Sequence, residues 1–241
     1  MKNLIQGNKP PRADTCNECD KYKAEMKNFR RSNDRSEERL KAISDMKSKN
    51  KVHLRRSKVP HTWRKEYRKC TDPGVACITV DLQKTLPTPK INTCLQYYKR
   101  KLWTYNLCIH DVKTGHASMY LWDESIAKRG SVEIASCMLH YIENEIKPEV
   151  TKLVVFSDNC GGQNKNWTLM CMYLRQIHAN RFTRVEHIFM VAGHSYLPCD
   201  RDFGHIDRFI RNKEMYNKDH YARSIRLARA TKPFTVVKKT K

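Results

Sequence analysis

Two hydrophobic periods divide the chain. Between residues 20 and 58 apolar side chains are sparse and recur at helical spacing, with Tyr22, Met26 and Phe29 at i, i+4 and i+7 and Leu40 and Ile43 at i and i+3. The spacing predicts a long, highly charged helix or helix pair. Its apolar stripe is thin, so this arm is expected to need a partner or nucleic acid to become ordered, and it is the expected seat of any oligomer. Pro60 and then Asp72-Pro73-Gly74 are read as breaks before a core. From residue 75 the period falls to two. Val75–Leu82 is a short β-branched run, read as a buried strand. In residues 102–110, Trp103, Tyr105, Leu107 and Ile109 take one face and Thr104, Asn106, Cys108 and His110 the other, an alternation that marks a strand. Residues 111–115 form a loop and 116–122 the returning strand.

Beyond that hairpin, helices and strands alternate. Gly130-Ser131 opens a helix with Ser131 as N-cap, and Ile134, Met138, Tyr141, Ile142 and Ile146 form its face. Residues 152–156 read as a strand, 164–178 as a helix, 187–192 as a strand and 200–212 as a helix. The order β-β-β-α-β-α-β-α predicts an α/β protein with a ribonuclease-H-like mixed sheet, three antiparallel strands followed by alternating helices and strands. A doubly wound nucleotide-binding fold would alternate from the start and place a Gly-rich turn after its first strand. Here that strand ends Val80-Asp81-Leu82-Gln83, with an acid and no glycine.

Charge sharpens the picture. The chain of 241 residues has a formal net charge of +22. Residues 1–70 carry 21 basic and 9 acidic side chains and residues 208–241 carry 11 and 2, while 71–207 is nearly balanced with 15 and 14. The expected organisation is therefore a basic helical arm over 1–70, a catalytic-type core over 71–212 and a basic tail over 213–241. Clustered Lys and Arg release counterions from a phosphate backbone, which makes DNA the expected partner. No apolar run approaches the roughly 20 residues that a helix needs to cross a bilayer. The first residues lack a signal-peptide apolar core.

Three acidic positions could carry chemistry. Asp81 lies in an otherwise apolar strand, where a carboxylate is costly unless it is paired or binds a metal. Asp158 follows the strand of residues 152–156 and opens a loop rich in glycine and amides, with Gln163, Asn164 and Asn166 as backbone-contact candidates. Asp200, Asp202 and Asp207 follow the strand of residues 187–192. In a ribonuclease-H-like sheet the first and fourth strands are neighbours, so Asp81 and Asp158 are expected to meet. The last helix would supply a third acid, Asp200 in first place, with Asp202 and Asp207 as alternatives. Three carboxylates suit two Mg²⁺ or Mn²⁺ ions acting on a phosphodiester. His194 is a second-shell or leaving-group candidate, against the competing reading of a buried, satisfied histidine. The competing readings are a turn or helix cap for Asp158, an N-cap for Asp200, a first-turn acid for Asp202 and a surface ion pair for Asp207.

Of the ten cysteines, only Cys16 and Cys19 have metal-ligand spacing, a C-x-x-C knuckle suited to zinc. His53, His61 and Cys70 are candidates for the remaining ligands, His53 foremost. Others, such as Cys77 and Cys171, sit in apolar runs and read as small buried hydrophobes.

Four stretches carry a resemblance: TVDLQKTLPTPK (79–90), YKRKLWTYN (98–106), SDNCGGQN (157–164) and GHSYLPCDRDFG (193–204). With DTCNECD (14–20) and the following HLR (53–55), they resemble a family of mostly uncharacterised proteins, abundant in insects and cnidarians, that carries a transposon-associated domain of unknown function. The likeness covers roughly residues 12–230, and its last two motifs are the most specific. That family is similar to DDE-type transposase cores. The resemblance implies Asp81 and Asp158 as the first two acids and an acid within residues 199–202 as the third. The family commonly has glutamate at the position of Asp207. The chain lacks an obvious upstream DNA-binding domain, which fits a piece of a longer protein.

The expectation is thus a metal-dependent DNA cleavage and strand-transfer protein of DDE/D type. Its alternative is an inactive, domesticated transposase remnant that binds DNA or acts as a zinc-dependent interaction module. Either would be nuclear, with residues 51–58 and 238–241 as import signals.

Overall fold

A computed structural model describes residues 15–34, 36–94 and 98–240. The beginning of the arm (residues 1–14, including Asp14 of the knuckle motif) and Lys241 of the final basic run lie outside them. The chain divides into two units, Met1–Lys58 with Val191–His194, and Val59–Met190 with Ser195–Lys241.

The charged arm is a helix pair, α1 (Asn17–Arg31) and α2 (Glu37–Lys69). In the first unit Tyr22, Met26 and Phe29 are half-buried, Ile43 is buried and Leu40 stays exposed, as a thin stripe dictates. Arg39 lies over the Phe29 ring. Pro60 does not end α2, contrary to expectation. A proline inside a helix loses one backbone hydrogen bond. Here Pro60 is buried, and packing outweighs that local cost.

The second unit is built on a mixed sheet of seven strands: β1 (Val75–Leu82), β2 (Leu86–Thr88), β3 (Leu102–Asp111), β4 (Ala117–Asp123), β5 (Lys152–Ser157), β6 (Arg184–Phe189) and β7 (Thr235–Lys238). The strand order is β6-β5-β1-β3-β4-β7, with β2 paired to β3. β1, β3 and β4 are mutually antiparallel, whereas β5 runs parallel to β1 and β6 parallel to β5. Among the described residues the sheet is accompanied by the helices α3 (Ser131–Asn144), α4 (Trp167–His178), α5 (Pro198–Ile210) and α6 (Lys218–Leu227).

Alternation along β1 sorts the two faces. Ile78, Val80 and Leu82 join the core beneath α3 and α4, with Leu107, Ile109, Trp122 and Tyr173. Cys77 joins the core beneath α5 and α6, with Cys108, Phe156, Ile206 and Tyr221. The central strands are covered on both sides, which is why β4 is buried at every position.

Several boundaries differ from expectation. Gly130, not Ser131, holds the N-cap of α3, and the Ser131 hydroxyl instead donates to Thr168 Oγ1. α4 begins at Trp167 because the Asn166 side chain caps it, accepting from Leu169 N at 3.1 Å. β6 lies three residues earlier than its apolar run because it pairs in register with β5 from Lys152↔Arg184. The expected basic tail is part of the fold. α6 buries Tyr221, Ala222 and Ile225, and β7 adds a parallel edge beside β4. Their apolar positions are too few and too widely spaced among lysines and arginines to stand out by period.

Candidate functional site

The carboxylates are placed by β1, β5 and α5. Thr79, Asp81 and Gln83 share one face of β1, and α5 lies over that face. Thr79 Oγ1 is 3.2 Å from Cys199 Sγ, and Gln83 Nε2 donates to Asp207 Oδ1 at 2.7 Å. Asp81 sits between these two contacts, with Leu82 N–H donating to its Oδ1 at 2.8 Å. Parallel pairing of Val80 with Ser157 sets Asp158 one step on, beside Asp81. Asp158 Oδ1 accepts from Cys160 N–H at 3.3 Å and from the Asn164 side-chain amide. Asn164 is buried, and its backbone N–H, like that of Gln163, is turned to Cys160 O. In the described contacts Gln163 and Asn164 therefore shape the loop.

Asp200 enters from the first turn of α5, where its Oδ2 accepts from Leu197 N–H at 2.7 Å. It caps the helix and also reaches Asp81 electrostatically. Burial first, then the charges of Asp200 and Asp158, push the Asp81 carboxyl up to about 7, against the opposing Leu82 N–H and the Arg129 charge. A carboxyl crowded by two others in a desolvated niche resists ionisation, and a cation would reverse that preference.

The two alternative acids behave differently. Asp202 is fully buried, with Oδ2 2.5 Å from His110 Nδ1 and Oδ1 3.3 Å from Arg229 Nη1, an internal ion pair. Asp207 is taken by Gln83.

A second site lies in the first unit. Cys16, Cys19, His53 and His194 each present one ligand atom, all within 4.8 Å of one another. Cys16 Sγ is 3.2 Å from His53 Nε2, Cys19 Sγ is 3.3 Å from His194 Nε2, and the two Nε2 atoms are 3.2 Å apart. A tetrahedral zinc with Zn–S of about 2.3 Å and Zn–N of about 2.0–2.1 Å requires N···N and S···N edges of about 3.3–3.5 Å and an S···S edge of about 3.8 Å. The spacings match, and the donor set is a closed Cys₂His₂ with no vacant ligand position. Glu18 Oε2 stands 3.8 Å from His53 Nδ1, where a carboxylate orients a metal-bound imidazole. Gly193 has φ +73°, and a Cβ there would lie 2.5 Å from the Cys16 backbone, so only glycine lets His194 reach the cluster.

His194 is thus a member of this cluster, a role its sequence context beside the acids did not suggest. Neither His61 nor Cys70 belongs to the cluster. Among the described residues the three carboxylates do not converge to the same 4.8 Å limit.

No helix of the described residues is long and apolar enough to cross a membrane. A search of curated proteins found no match. The profile of a domain of unknown function, DUF7869, matches residues 107–239, more than half of the chain, and the chain belongs to that family.

Proposed function

We propose that this protein is a transposase-derived DNA phosphodiester enzyme, with Asp81, Asp158 and Asp200 holding Mg²⁺ or Mn²⁺. The observation that carries the reading is the mutual crowding of these three acids at the carboxyl ends of β1 and β5. Burial first, and then this crowding, raise Asp81 to about 7. Such a niche is unfavourable for three carboxylates alone and favourable for carboxylates around a hard cation. Bound there, divalent metal would activate a water or 3′-hydroxyl and stabilise the leaving oxygen. The chain's own part is to hold the oxygens. Asn164 and Cys160 N–H fix Asp158, Leu197 N–H fixes Asp200, and Leu82 N–H fixes Asp81.

The strand order supports reading the sheet as ribonuclease-H-like. Three antiparallel strands are continued on one side by parallel β5 and β6 and bordered on the other by parallel β7, with the acid-bearing strands adjacent. The Cys/His cluster reads as a structural zinc site of the arm. The basic runs at 51–58 and 238–241 would direct the protein to the nucleus, and the arm would mediate oligomerisation.

A second reading takes its support from the same cluster and from Asp200's cap. It is a remnant that binds DNA through a zinc-ordered arm without cutting it. Incubating labelled DNA with Mg²⁺ or Mn²⁺, beside an Asp81→Ala/Asp158→Ala variant, separates the two. Metal-dependent cleavage lost in the variant upholds the enzyme. Equal binding with no cleavage by either protein sinks it.

A further inference from the structure

The second unit holds a cavity of about 680 Å³ where the carboxyl-terminal turns of α2, the β3–β4 turn and the start of α5 converge. Its lining is strongly cationic and contains no Asp or Glu. Arg64, Lys65 and Arg68 come from α2 and Arg201 from α5, and none of the four has a carboxylate partner within ion-pair distance among the described residues. Lys113 and Lys232 complete the wall, their ammonium groups donating to backbone carbonyls.

The floor explains why the excess charge is not neutralised from inside. Asp202, beneath the cavity, is fully buried and divides its oxygens between His110 and Arg229, and Asp111 at the base of the β3–β4 turn accepts from Lys113 and Thr114 N–H. Arg64 is half-buried, and burial, reinforced by the Arg201 charge, lowers the affinity of its guanidinium for its proton against the opposing charges of Cys199, Cys77 and Asp200; its Nη2 lies 3.5 Å from His61 Nδ1. Gathering several cations around a concave, partly desolvated space with no carboxylate at ion-pair distance is unfavourable by itself. Forked guanidinium donors suit phosphate oxygens.

We infer that this cavity is a binding site for clustered phosphates, presented by a nucleic-acid backbone or by a compact polyphosphate. The α5 side of the site adjoins Asp200, while its β3–β4 side lies away from Asp81. β3 runs antiparallel to β1 with Asp111 opposite Ile78, so the β3–β4 turn lies toward the end of the sheet away from Asp81. Phosphate binding here stands whether or not the chain cleaves DNA. If it does, Arg201 follows Asp200 directly in sequence. A strand held at the acids would then continue into the cavity.

The test uses the full chain without divalent metal. Binding of inorganic tripolyphosphate is measured by calorimetry, and that of a fluorescein-labelled single-stranded oligonucleotide by anisotropy. Arg64→Gln/Arg201→Gln is expected to weaken at least one probe by about tenfold or more, since charge-assisted contacts of this kind contribute that much or more each. Lys65→Gln/Arg68→Gln, which changes only exposed side chains, guards against a folding defect and should act in the same direction. Arg175→Gln/Arg223→Gln removes the same charge from exposed positions on α4 and α6 and should change affinity less than twofold. Competition between the probes identifies a nucleic-acid backbone as the source. Tripolyphosphate binding to which the oligonucleotide is indifferent identifies a compact polyphosphate. Equal losses in the cavity and control variants, or no loss in either cavity pair, would overturn the inference. Asp81→Asn should leave both affinities intact, so a failure of the catalytic reading does not touch this one.

Discussion

Asp81→Asn should make the protein more stable at alkaline pH. In the folded chain burial and the charges of Asp200 and Asp158 raise Asp81 to about 7, against an ordinary value of 3.8. Between those two values the folded state holds a proton that the unfolded state has released. Stability therefore falls as pH rises through this window and levels off above about 7. At about 1.4 kcal/mol per unit, the full shift corresponds to about 4 kcal/mol. Part of the shift belongs to the shared titration of the trio and part is relieved by solvent at a half-buried group, so about 2 kcal/mol is expected. Asparagine keeps an oxygen for Leu82 N–H and carries no charge. For a chain of this size the gain corresponds to a rise in Tm of about 4–8 °C at pH 8.5. The difference should close near pH 4. Thermal unfolding followed by far-UV circular dichroism, in buffer lacking Mg²⁺ and Mn²⁺ and without chelator, reads it directly. A variant no more stable than the parent at pH 8.5, or an advantage that persists unchanged at pH 4, would refute the account of the niche.

Other consequences are equally concrete. Purified protein should carry one zinc per chain by elemental analysis, and Cys19→Ser or His194→Ala should lose it together with helical signal from the arm. Gly193→Ala should weaken zinc retention at least tenfold, because the added Cβ meets the Cys16 backbone at a positive φ. Asp202→Ala should cost about 3–5 kcal/mol, since it strands His110 and Arg229 in the interior. Asp200→Ala should cost only about 1 kcal/mol through its cap while abolishing cleavage, so the two acids separate in a paired denaturation and activity measurement. Tyr221→Ala should cost about 3–5 kcal/mol in urea unfolding, removing a buried ring and its 2.6 Å bond to Pro87 O.

Much of the fold was legible locally. The alternation over residues 102–110 reports a strand whose two faces differ, and Ile134, Met138, Tyr141 and Ile142 report a helix whose apolar face is buried. Both periods follow from backbone geometry within a few residues. The C-x-x-C knuckle was legible for the same reason, because two thiolates three residues apart reach one ion from a single turn. α6 and β7 were not legible, because isolated apolar positions such as Tyr221, Ile225 and Val236 become meaningful only against the sheet that buries them.

By itself, the sequence determined the charged helical arm, the hairpin of β3 and β4, the alternation of helices and strands after it, and which acids interrupt apolar runs. Only the tertiary structure decided which of those acids meet. Asp200 faces the β1–β5 edge while Asp202, two residues on, turns inward to His110. A helix rotates about 200° over two residues, so the register of α5 on β1 selects between them. His194 stands 141 residues from His53, and no local period connects them. Their meeting follows from closing a long loop, an event whose free energy resides in the packing of the whole chain and not in the residues on either side.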